Sequence, residues 1–532
     1  MNSFPWLTLL IVIPIIGAIV LAAMPRESVT QAKKVALAVS LITLIVTIVT
    51  LFQFDSDSDQ AFQLVNSYSW IPALGVKFSL GLSGISIVMV GLIGVLMPLV
   101  ILGGWNEADD AIGSVKGYYS LMLTLQALLF GVFMATDLFL FYIFFEAVLI
   151  PMYFIIGRYG GPQRQYAAVK FLLYSLVGGL LMLVAVIALY VQGASQLGEG
   201  TFDLSALSTL QLDSGIQKWI FLGFFIAFAI KAPMWPVHTW LPDAAGQTTP
   251  GSAVLMVGVM DKIGTFGMLA LCLPLFPEAA QFFAPFIVVL ALISIIYGAI
   301  MALGQRDIMR LIAYTSVSHF GFIVMGIFAM TSQGMSGATF YMLNHGLSTG
   351  ALFLIAGFLI SRRGSSLIES FGGVHKVAPI LAGTFLLAGL SSLSLPGMSS
   401  FVSEFLVLVG TFETYQWAAI IATVGIVLSA LYILWLYQRT MTGPVAPGCE
   451  NFTDLNTREK WSVGPIIALI IFFGFFAAPV LNAINPSVDR VMQQVGVVDP
   501  QPAISDNVTI PVDENAVVPL EREANDGEGG QS

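Results

Sequence analysis

The stretch IKAPMWPVHTWLPDAAGQ (residues 230–247) decides how this chain is organised, because it interrupts a long apolar run beside a lysine. Pro233 and Pro236 closely follow Lys231, and each proline removes a backbone donor and clashes with the preceding turn. Two such residues predict a broken helix rather than a gentle bend. Non-helical backbone at membrane depth is tolerated only where protein or a polar cavity encloses it, so a break that carries an ionisable residue is typical of an ion pathway.

The composition places this break inside a polytopic membrane protein. Of the 532 residues, 57% are hydrophobic and 10% are charged, and the mean hydropathy is +0.88. Soluble domains carry roughly 25% charged residues, and a soluble core cannot absorb this much apolar surface. The fold class that follows is an all-α membrane protein.

Charge and cysteine content exclude other classes of protein. The net charge of −10 is concentrated in residues 497–532, which hold eight acids and one arginine and leave −3 for the rest of the chain. Nucleic acid is therefore excluded as a partner. Cys272 and Cys449 are the only cysteines, which excludes iron–sulfur clusters and a CxxCH haem attachment in this chain.

The apolar runs predict about fourteen transmembrane helices, since a hydrocarbon layer about 30 Å thick requires about 20 apolar residues per helix. Residues 62–79 instead alternate between apolar and polar side chains and contain aromatic and β-branched residues, which predicts a short hairpin outside the bilayer. The apolar runs occupy residues 5–24, 34–54, 80–103, 116–135, 137–157, 168–192, 217–236, 248–275, 280–302, 306–330, 338–360, 377–412, 416–438 and 462–484.

Lysine and arginine are distributed unevenly between the two sides that these segments define. Fifteen of the 21 lie in connections or helix ends on one side, four lie on the other, and Lys231 and Lys262 lie within apolar runs. By the positive-inside rule, the first side is cytoplasmic. We therefore expect both termini outside the cytoplasm, as an even number of helices requires.

A weak internal repeat divides the chain. KFLLYS (170–175) corresponds to FYMLNH (340–345), and Pro396 with Gly397 breaks a second apolar run as the two prolines break the first. Five helices separate the copies, and this odd number predicts two units of opposite orientation, which is a transporter architecture. The predicted boundaries are 1–115 for three N-terminal helices with the hairpin, 116–275 and 276–440 for two inverted five-helix repeats, 441–485 for a cytoplasmic loop and the last helix, and 486–532 for an acidic, disordered external tail.

Ionisable residues at membrane depth are the candidate functional residues, because a charge there is costly and rare. Glu146 lies about nine residues from either end of its predicted helix, which places it near the midplane. Lys231 and Lys262 lie within apolar runs, where a lysine loses hydration that a leucine would not need. Glu404 follows the second break as Lys231 adjoins the first.

Three histidines and one further lysine are also relay candidates, with His319 ranked among the main ones and Lys170, His238 and His345 ranked as secondary. His319 and His345 lie on the predicted tenth and eleventh helices, and His238 follows the first break. Imidazole accepts and releases protons near neutrality, although a packed histidine is often only hydrogen-bonded. Lys170 either joins the relay or extends to the cytoplasmic surface. Asp261 either pairs with Lys262 or points away from it, because adjacent residues on a helix do not share a face.

Four segments have a distinctive sequence: EAVLIPMYFIIG (146–157), KAPMWPVHTWLPDA (231–244), QRDIMRLIAYTSVSHFGF (305–322) and LPGMSSFVSEF (395–405). They resemble the antiporter-like membrane subunits of respiratory complex I, the NADH:quinone oxidoreductase, and the resemblance covers roughly residues 1–485. Glu404 stands where the paralogous subunits L and N have lysine, and the long lateral helix of L is missing, so the chain is distinguished from both.

The resemblance implies a proton-translocating subunit of an NADH dehydrogenase in the bacterial cytoplasmic membrane. Its neighbours would be other membrane-arm subunits, especially L and N. Flavin, iron–sulfur clusters and quinone are then expected in partner subunits, with no cofactor or metal in this chain. The implied proton channel passes through Glu146, Lys231, Lys262, His319 and Glu404.

Two other functions fit the same residues. A subunit of an Mrp-type cation/proton antiporter would share the lysines and the broken helices but would be driven by ion gradients, and neighbouring genes would distinguish the two. A scaffold without proton transport is the other alternative. The midplane lysines argue against a scaffold, which has no need of charges that are costly to bury.

Overall fold

A computed structural model describes residues 4–109 and 111–500 of the chain. The N-terminal part contains three helices and one hairpin: α1 (Trp6–Ala23), α2 (Val29–Gln53), strands β1 (Gln63–Ile71) and β2 (Val76–Leu82), and α3 (Gly84–Gly103). The two strands pair antiparallel across a turn that ends at Gly75, whose φ of 69° favours glycine. The segment expected as a hairpin therefore contains one.

The middle of the chain contains ten helices, α4 to α13. Two π-helical turns separate the last three of them: Met256–Met260 lies between α11 and α12, and Met268–Cys272 lies between α12 and α13. The helices are α4 (Val115–Met134), α5 (Leu138–Ala147), α6 (Leu149–Tyr159), α7 (Arg164–Leu197), α8 (Leu204–Leu207), α9 (Ser214–Lys231), α10 (Trp240–Gln247), α11 (Pro250–Leu255), α12 (Lys262–Gly267) and α13 (Leu273–Leu275).

The remaining helices are long, apart from a pair that flanks a second break. Short 3₁₀ turns at Ile368–Ser370 and Val374–Lys376 lead into that pair. The helices are α14 (Pro277–Leu303), α15 (Ile308–Phe328), α16 (Ser332–Arg363), α17 (Pro379–Ser392), α18 (Ser399–Thr414), α19 (Gln416–Met441), α20 (Thr457–Phe475) and α21 (Ala478–Val495).

The predicted all-α membrane fold is confirmed, with a helix count slightly below the expected fourteen. Among the described residues, twelve helices are long and apolar enough to cross a membrane, and the bent pair α20 and α21 can add a thirteenth. The predicted segment 377–412 is instead divided into α17 and α18, because the break at 393–398 leaves both pieces too short. The opposite orientation of the two repeats stays a prediction.

The C-terminal boundary at residue 486 was placed too early. The chain bends by 69° after Phe475, and α21 then continues to Val495. This helix is amphipathic, but its sequence is polar on average, so the helix was not predicted. Its buried face consists of Ile484, Ser487, Val488, Val491, Met492 and Val495. The predicted acidic tail beyond residue 500 lies outside the described residues.

Burial separates central helices from peripheral ones. Every residue of α15 except Arg310 is buried, as is nearly all of the span Pro250–Leu275, whereas only seven of the 25 residues of α2 are buried. Peripheral helices such as α2 expose apolar side chains, as a lipid-facing helix should. The central helices carry most of the candidate ionisable residues, so those residues are enclosed by protein rather than by lipid.

Candidate functional site

The first break lies between α9 and α10, and its first three residues are buried whereas Pro236 is exposed. Its freed backbone groups find partners: Trp235 N donates to Ser294 Oγ at 2.8 Å, and Met234 N donates to Ala229 O at 3.0 Å. The Trp240 indole donates to Ile230 O at 2.9 Å. These bonds replace the helical ones that the prolines remove, so the break is a fixed feature of the fold.

Lys231 ends α9 at the edge of this break and is 1% exposed. Its Nζ has no hydrogen-bond partner among the described residues. Two aromatic rings face it instead, with Nζ 5.2 Å from the centroid of Phe145 and 5.9 Å from that of Phe171. Such rings attract a cation but cannot accept its proton, so proton release from Lys231 requires another group as the acceptor.

Glu146 is an acidic residue close enough to Lys231 to act on its charge. It is half-buried on α5, and its Oε1 has no hydrogen-bond partner among the described residues. The carboxylate acts electrostatically on Lys231, but the two do not form an ion pair within 4 Å in the described structure. Gly179 on α7 makes room for the carboxyl group, because a Cβ there would overlap Oε1.

Lys262 begins α12 directly after the first π-helical turn and is fully buried. Asp261 N donates to Met256 O, five residues earlier, and this wide turn lets Lys262 Nζ reach Val257 O at 2.9 Å. The same Nζ is hydrogen-bonded to His345 Nδ1 at 2.7 Å. π-helical turns are frequent at functional sites because they re-aim side chains in this way.

His345 on α16 connects Lys262 to His319 on α15. The ring centroids of the two histidines are 5.4 Å apart, and both side chains are buried. His319 Nε2 is hydrogen-bonded to the Tyr432 hydroxyl at 3.3 Å. His345 Nε2 and His319 Nδ1 have no partner among the described residues, so each imidazole has one nitrogen free for proton exchange.

Glu404 lies at the other end of this group, beside the second break. Tyr341 donates to its Oε2 at 2.8 Å, and the Ser394 hydroxyl donates to the same oxygen. The Tyr341 ring lies 5.9 Å from the ring of His319. The carboxyl is 4% exposed, so these two hydroxyls are what stabilise it in its buried position.

The backbone of the second break explains why Ser394 reaches Glu404. Ser394 has a φ of 59° and Gly397 a φ of 92°, both in the left-handed region that helices do not use. This reversal follows α17 and turns the Ser394 side chain toward the first turns of α18, where Glu404 lies. The break therefore supplies a hydrogen-bond donor as well as a change of direction.

Contacts between buried side chains join Lys262, His345, His319, Tyr341 and Glu404 in that order. Lys231 and the half-buried Glu146 lie ahead of them at the first break, and we call the seven residues together, in the order Glu146, Lys231, Lys262, His345, His319, Tyr341 and Glu404, the central row. His345 was predicted as a secondary candidate, but its contact with Lys262 places it between that lysine and His319. Tyr341, Tyr432 and Ser394 were not predicted, since hydroxyls in apolar helices are common, and Asp261 was considered only as a possible partner of Lys262.

Two secondary candidates lie elsewhere. Lys170 forms an ion pair with Asp243 at 2.7 Å, and Arg310 pairs with the same carboxylate at 2.6 Å. Burial raises the pKa of Asp243, but hydrogen bonds from both cations outweigh it and the net pKa is lowered. The His238 ring packs against Tyr297, with centroids 5.1 Å apart, and makes no hydrogen bond within the described structure. Neither Lys170 nor His238 contacts the central row through a hydrogen bond that the structure describes.

Comparison with known proteins gives one consistent family. The family model described as NADH:quinone oxidoreductase/Mrp antiporter, TM, matches residues 135–429, a range that includes both breaks and the central row. NADH-quinone oxidoreductase subunit M of Mycobacterium tuberculosis is 51% identical over 95% of this chain and 97% of the relative. Subunit M of Rhodobacter capsulatus is 41% identical over 92% of this chain and 96% of the relative.

Solved structures agree with these relatives. A chain of respiratory complex I from Thermus thermophilus with bound NADH matches with a TM-score of 0.82 and 30% identity, over 92% of this chain and 100% of that chain. A chain of the Mrp complex from a Dietzia species matches with a TM-score of 0.79 over 92% of this chain, but its 20% identity supports a likeness of fold alone. The chain therefore belongs to the antiporter-like membrane subunits of NADH:quinone oxidoreductase, in the subunit M group, as its motifs predicted.

Proposed function

We propose that this chain carries protons across the membrane along the central row as subunit M of NADH:quinone oxidoreductase. The observation that carries the proposal is the buried contact between Lys262 and His345, which joins a lysine on one interrupted helix to an imidazole on its neighbour. A scaffold gains nothing from burying these groups at a cost of several kcal/mol each. A proton path needs them, because titratable groups separated by short gaps pass protons by hydrogen bonds and water.

The first step involves Glu146 and Lys231. At an effective dielectric constant of about 20, opposite charges about 4 Å apart attract by about 4 kcal/mol, and the attraction falls with distance. A close pair therefore keeps Lys231 protonated. When the pair separates, Lys231 loses that stabilisation and its proton moves inward toward Lys262. The room beside Gly179 and the free Oε1 of Glu146 allow the carboxyl to move between these positions.

The second step passes through the two histidines. Lys262 donates to His345 Nδ1, and a proton taken up there can leave from Nε2, which has no other partner among the described residues. His319 stands next in line with a ring 5.4 Å away. Tyr341 then connects this region to Glu404, which holds the proton at the second break.

Membership of the family supports our proposal for the partners and location of the chain. The chain is a subunit of a larger membrane complex, and we place the L and N subunits beside it. NADH oxidation, and the flavin, iron–sulfur clusters and quinone that it requires, belong to partner subunits, so energy from electron transfer must reach the central row through the protein. We also place the chain in the bacterial cytoplasmic membrane with both termini outside, in line with its lysine and arginine distribution.

The alternative is an Mrp-type antiporter, since the same family model and the same fold include such proteins. Sequence identity favours the oxidoreductase, because this chain is 51% identical to a subunit M but only 20% identical to the Mrp chain. Genes for peripheral redox subunits beside this one would support the oxidoreductase, whereas genes for small Mrp subunits would support the antiporter.

The proposal is tested by Lys231→Ala in the assembled complex. NADH-driven proton uptake is measured in inverted membrane vesicles, together with NADH:quinone turnover and the amount of intact complex. We expect proton uptake to fall by about tenfold or more, because a relay group has been removed. Lys218→Ala is the matched control, since Lys218 lies on the same helix, packs on the Phe282 ring and is outside the central row. Normal uptake in the Lys231 variant would contradict the proposal.

A further inference from the structure

Asp261 is a fully buried carboxyl whose two oxygens have no hydrogen-bond partner among the described residues. It lies directly before Lys262, at the end of the first π-helical turn. A buried carboxylate without hydrogen bonds is costly unless an opposite charge lies near it or it takes up a proton. The side chains that Asp261 faces therefore decide whether it can act as an anion.

The packing of α12 shows which way this face points. Gly264 and Gly267, three and six residues after Asp261, lie against α9, because a Cβ at Gly264 would overlap Phe228 O and Ala232 N, and one at Gly267 would overlap the Phe228 ring. Residues three apart on a helix share a face, so Asp261 faces the inner end of α9, where Lys231 is located. Lys262 points instead to His345 on α16.

The charges around Asp261 can be counted element by element. It acts electrostatically on Lys231 from α9 and on Lys262 from its own helix. Beyond Lys262 lie His345 on α16 and His319 on α15, and beyond Lys231 lies Glu146 on α5. Of the other neighbours, α3 carries no ionisable side chain, and the ionisable residues of α4 are confined to its first turn and a half, at Lys116, Tyr118 and Tyr119.

We infer that Asp261 is the counter-ion shared by Lys231 and Lys262, and that it couples the protonation of one lysine to that of the other. The inference rests on the proposed function and extends it. Two protonated lysines at neighbouring positions of the central row repel each other, and one carboxylate between them offsets that repulsion. When Lys231 releases its proton, the protonated Lys262 no longer shares Asp261 with a second positive charge. The attraction between Asp261 and Lys262 then stabilises the protonated form of Lys262 and favours proton transfer toward it. Asp261 is thus a positioning residue that acts through its charge.

The test replaces Asp261 by asparagine, which keeps the shape of the side chain and removes its charge. In the assembled complex we expect NADH-driven proton uptake to fall by about tenfold, and its decline at high pH to begin about one pH unit lower, because the lysines lose the anion that keeps them protonated. A purely structural role would not move the pH profile. Asp261→Glu, which restores the charge, should recover most of the uptake. Thr265→Val on the same helix is the buried control and should leave uptake within about twofold of normal.

The outcomes separate this inference from the proposed function. Normal uptake in Asp261→Asn alongside loss of uptake in Lys231→Ala would overturn the shared counter-ion and leave the proton path intact. Normal uptake in both variants would remove the proton path itself. If Asp261→Asn prevents assembly, adding Lys262→Gln should restore it by removing the charge left uncompensated, and failure to restore assembly would also overturn the inference.

Discussion

At the residue scale, the central row and the adjacent Asp261 combine ionisable side chains with buried atoms that lack hydrogen bonds. Lys231 Nζ, Glu146 Oε1 and both oxygens of Asp261 have no hydrogen-bond partner among the described residues. An unpartnered buried polar atom costs about 1–3 kcal/mol. Hydroxyl and amide groups elsewhere in the core also lack partners, but these three side chains are ionisable and can therefore exchange protons.

Glu146→Gln tests the role of the carboxylate at the start of the row. The amide keeps nearly the same shape but cannot stabilise a protonated Lys231, so we expect proton uptake to fall about tenfold or more while the complex still assembles. NADH-driven uptake in vesicles measures this. Glu413→Gln, at an exposed carboxyl near the end of α18, should behave as the parent protein. Full pumping by the Glu146 variant would rule out the pairing of Glu146 with Lys231.

The sequence predicted part of this residue-level arrangement. An acid or a lysine in an apolar run is conspicuous, which is why Glu146, Lys231, Lys262 and Glu404 could be named without a structure. The link from Lys262 to His345 could not be predicted, because it depends on a π-helical turn with no recognisable sequence signal. Tyr341 and Ser394 were missed for the related reason that hydroxyl side chains in apolar helices carry no charge to mark them.

At the element scale, interrupted helices place charges where intact helices would place apolar side chains. The first break was predictable from Pro233 and Pro236, because proline acts on the backbone in any context. Its closure by Ser294 was not, since that contact joins residues 59 positions apart in the chain. Similarly, the amphipathic helix α21 was overlooked because its apolar face is narrow and its sequence is polar on average.

Gly179→Ala tests how closely α7 fits the pathway. A methyl group at this position would overlap Glu146 Oε1, so the carboxyl must turn away from its present position. We expect lower proton uptake, about threefold or more, although alanine favours helix formation over glycine by about 1 kcal/mol. Gly193→Ala on the same helix meets only flexible leucine side chains and serves as the control. Equal uptake by the two variants would show that the position of Glu146 is not critical.

At the scale of the whole molecule, Asp243 joins three helices at one end of the site. Its carboxylate on α10 pairs with Lys170 on α7 and Arg310 on α15, and so connects the first break to both halves of the chain. The overall fold was predictable because apolar runs of membrane length leave few alternatives. This three-way contact was not, since it depends on how the helices pack together.

Asp243→Asn should lower the stability of the complex by a pH-dependent amount. The folded pKa of Asp243 is lowered, so its contribution to stability is complete above its ordinary pKa and is lost as the pH falls through the folded value. Thermal dissociation of the complex at neutral pH should therefore occur a few degrees lower in the variant, and the difference should shrink in acid. Glu199→Gln, at an exposed site, is the control. A difference that persists unchanged in acid would contradict this role.

Proton transport along the central row is best tested by the ratio of protons taken up to NADH oxidised, measured in vesicles that carry Lys231→Ala beside vesicles that carry Lys218→Ala. This ratio measures coupling independently of how much complex is present. We expect a lower ratio for the Lys231 variant and the parental ratio for the Lys218 variant. An unchanged ratio in the Lys231 variant, with the complex intact, would contradict the claim that protons pass along the central row.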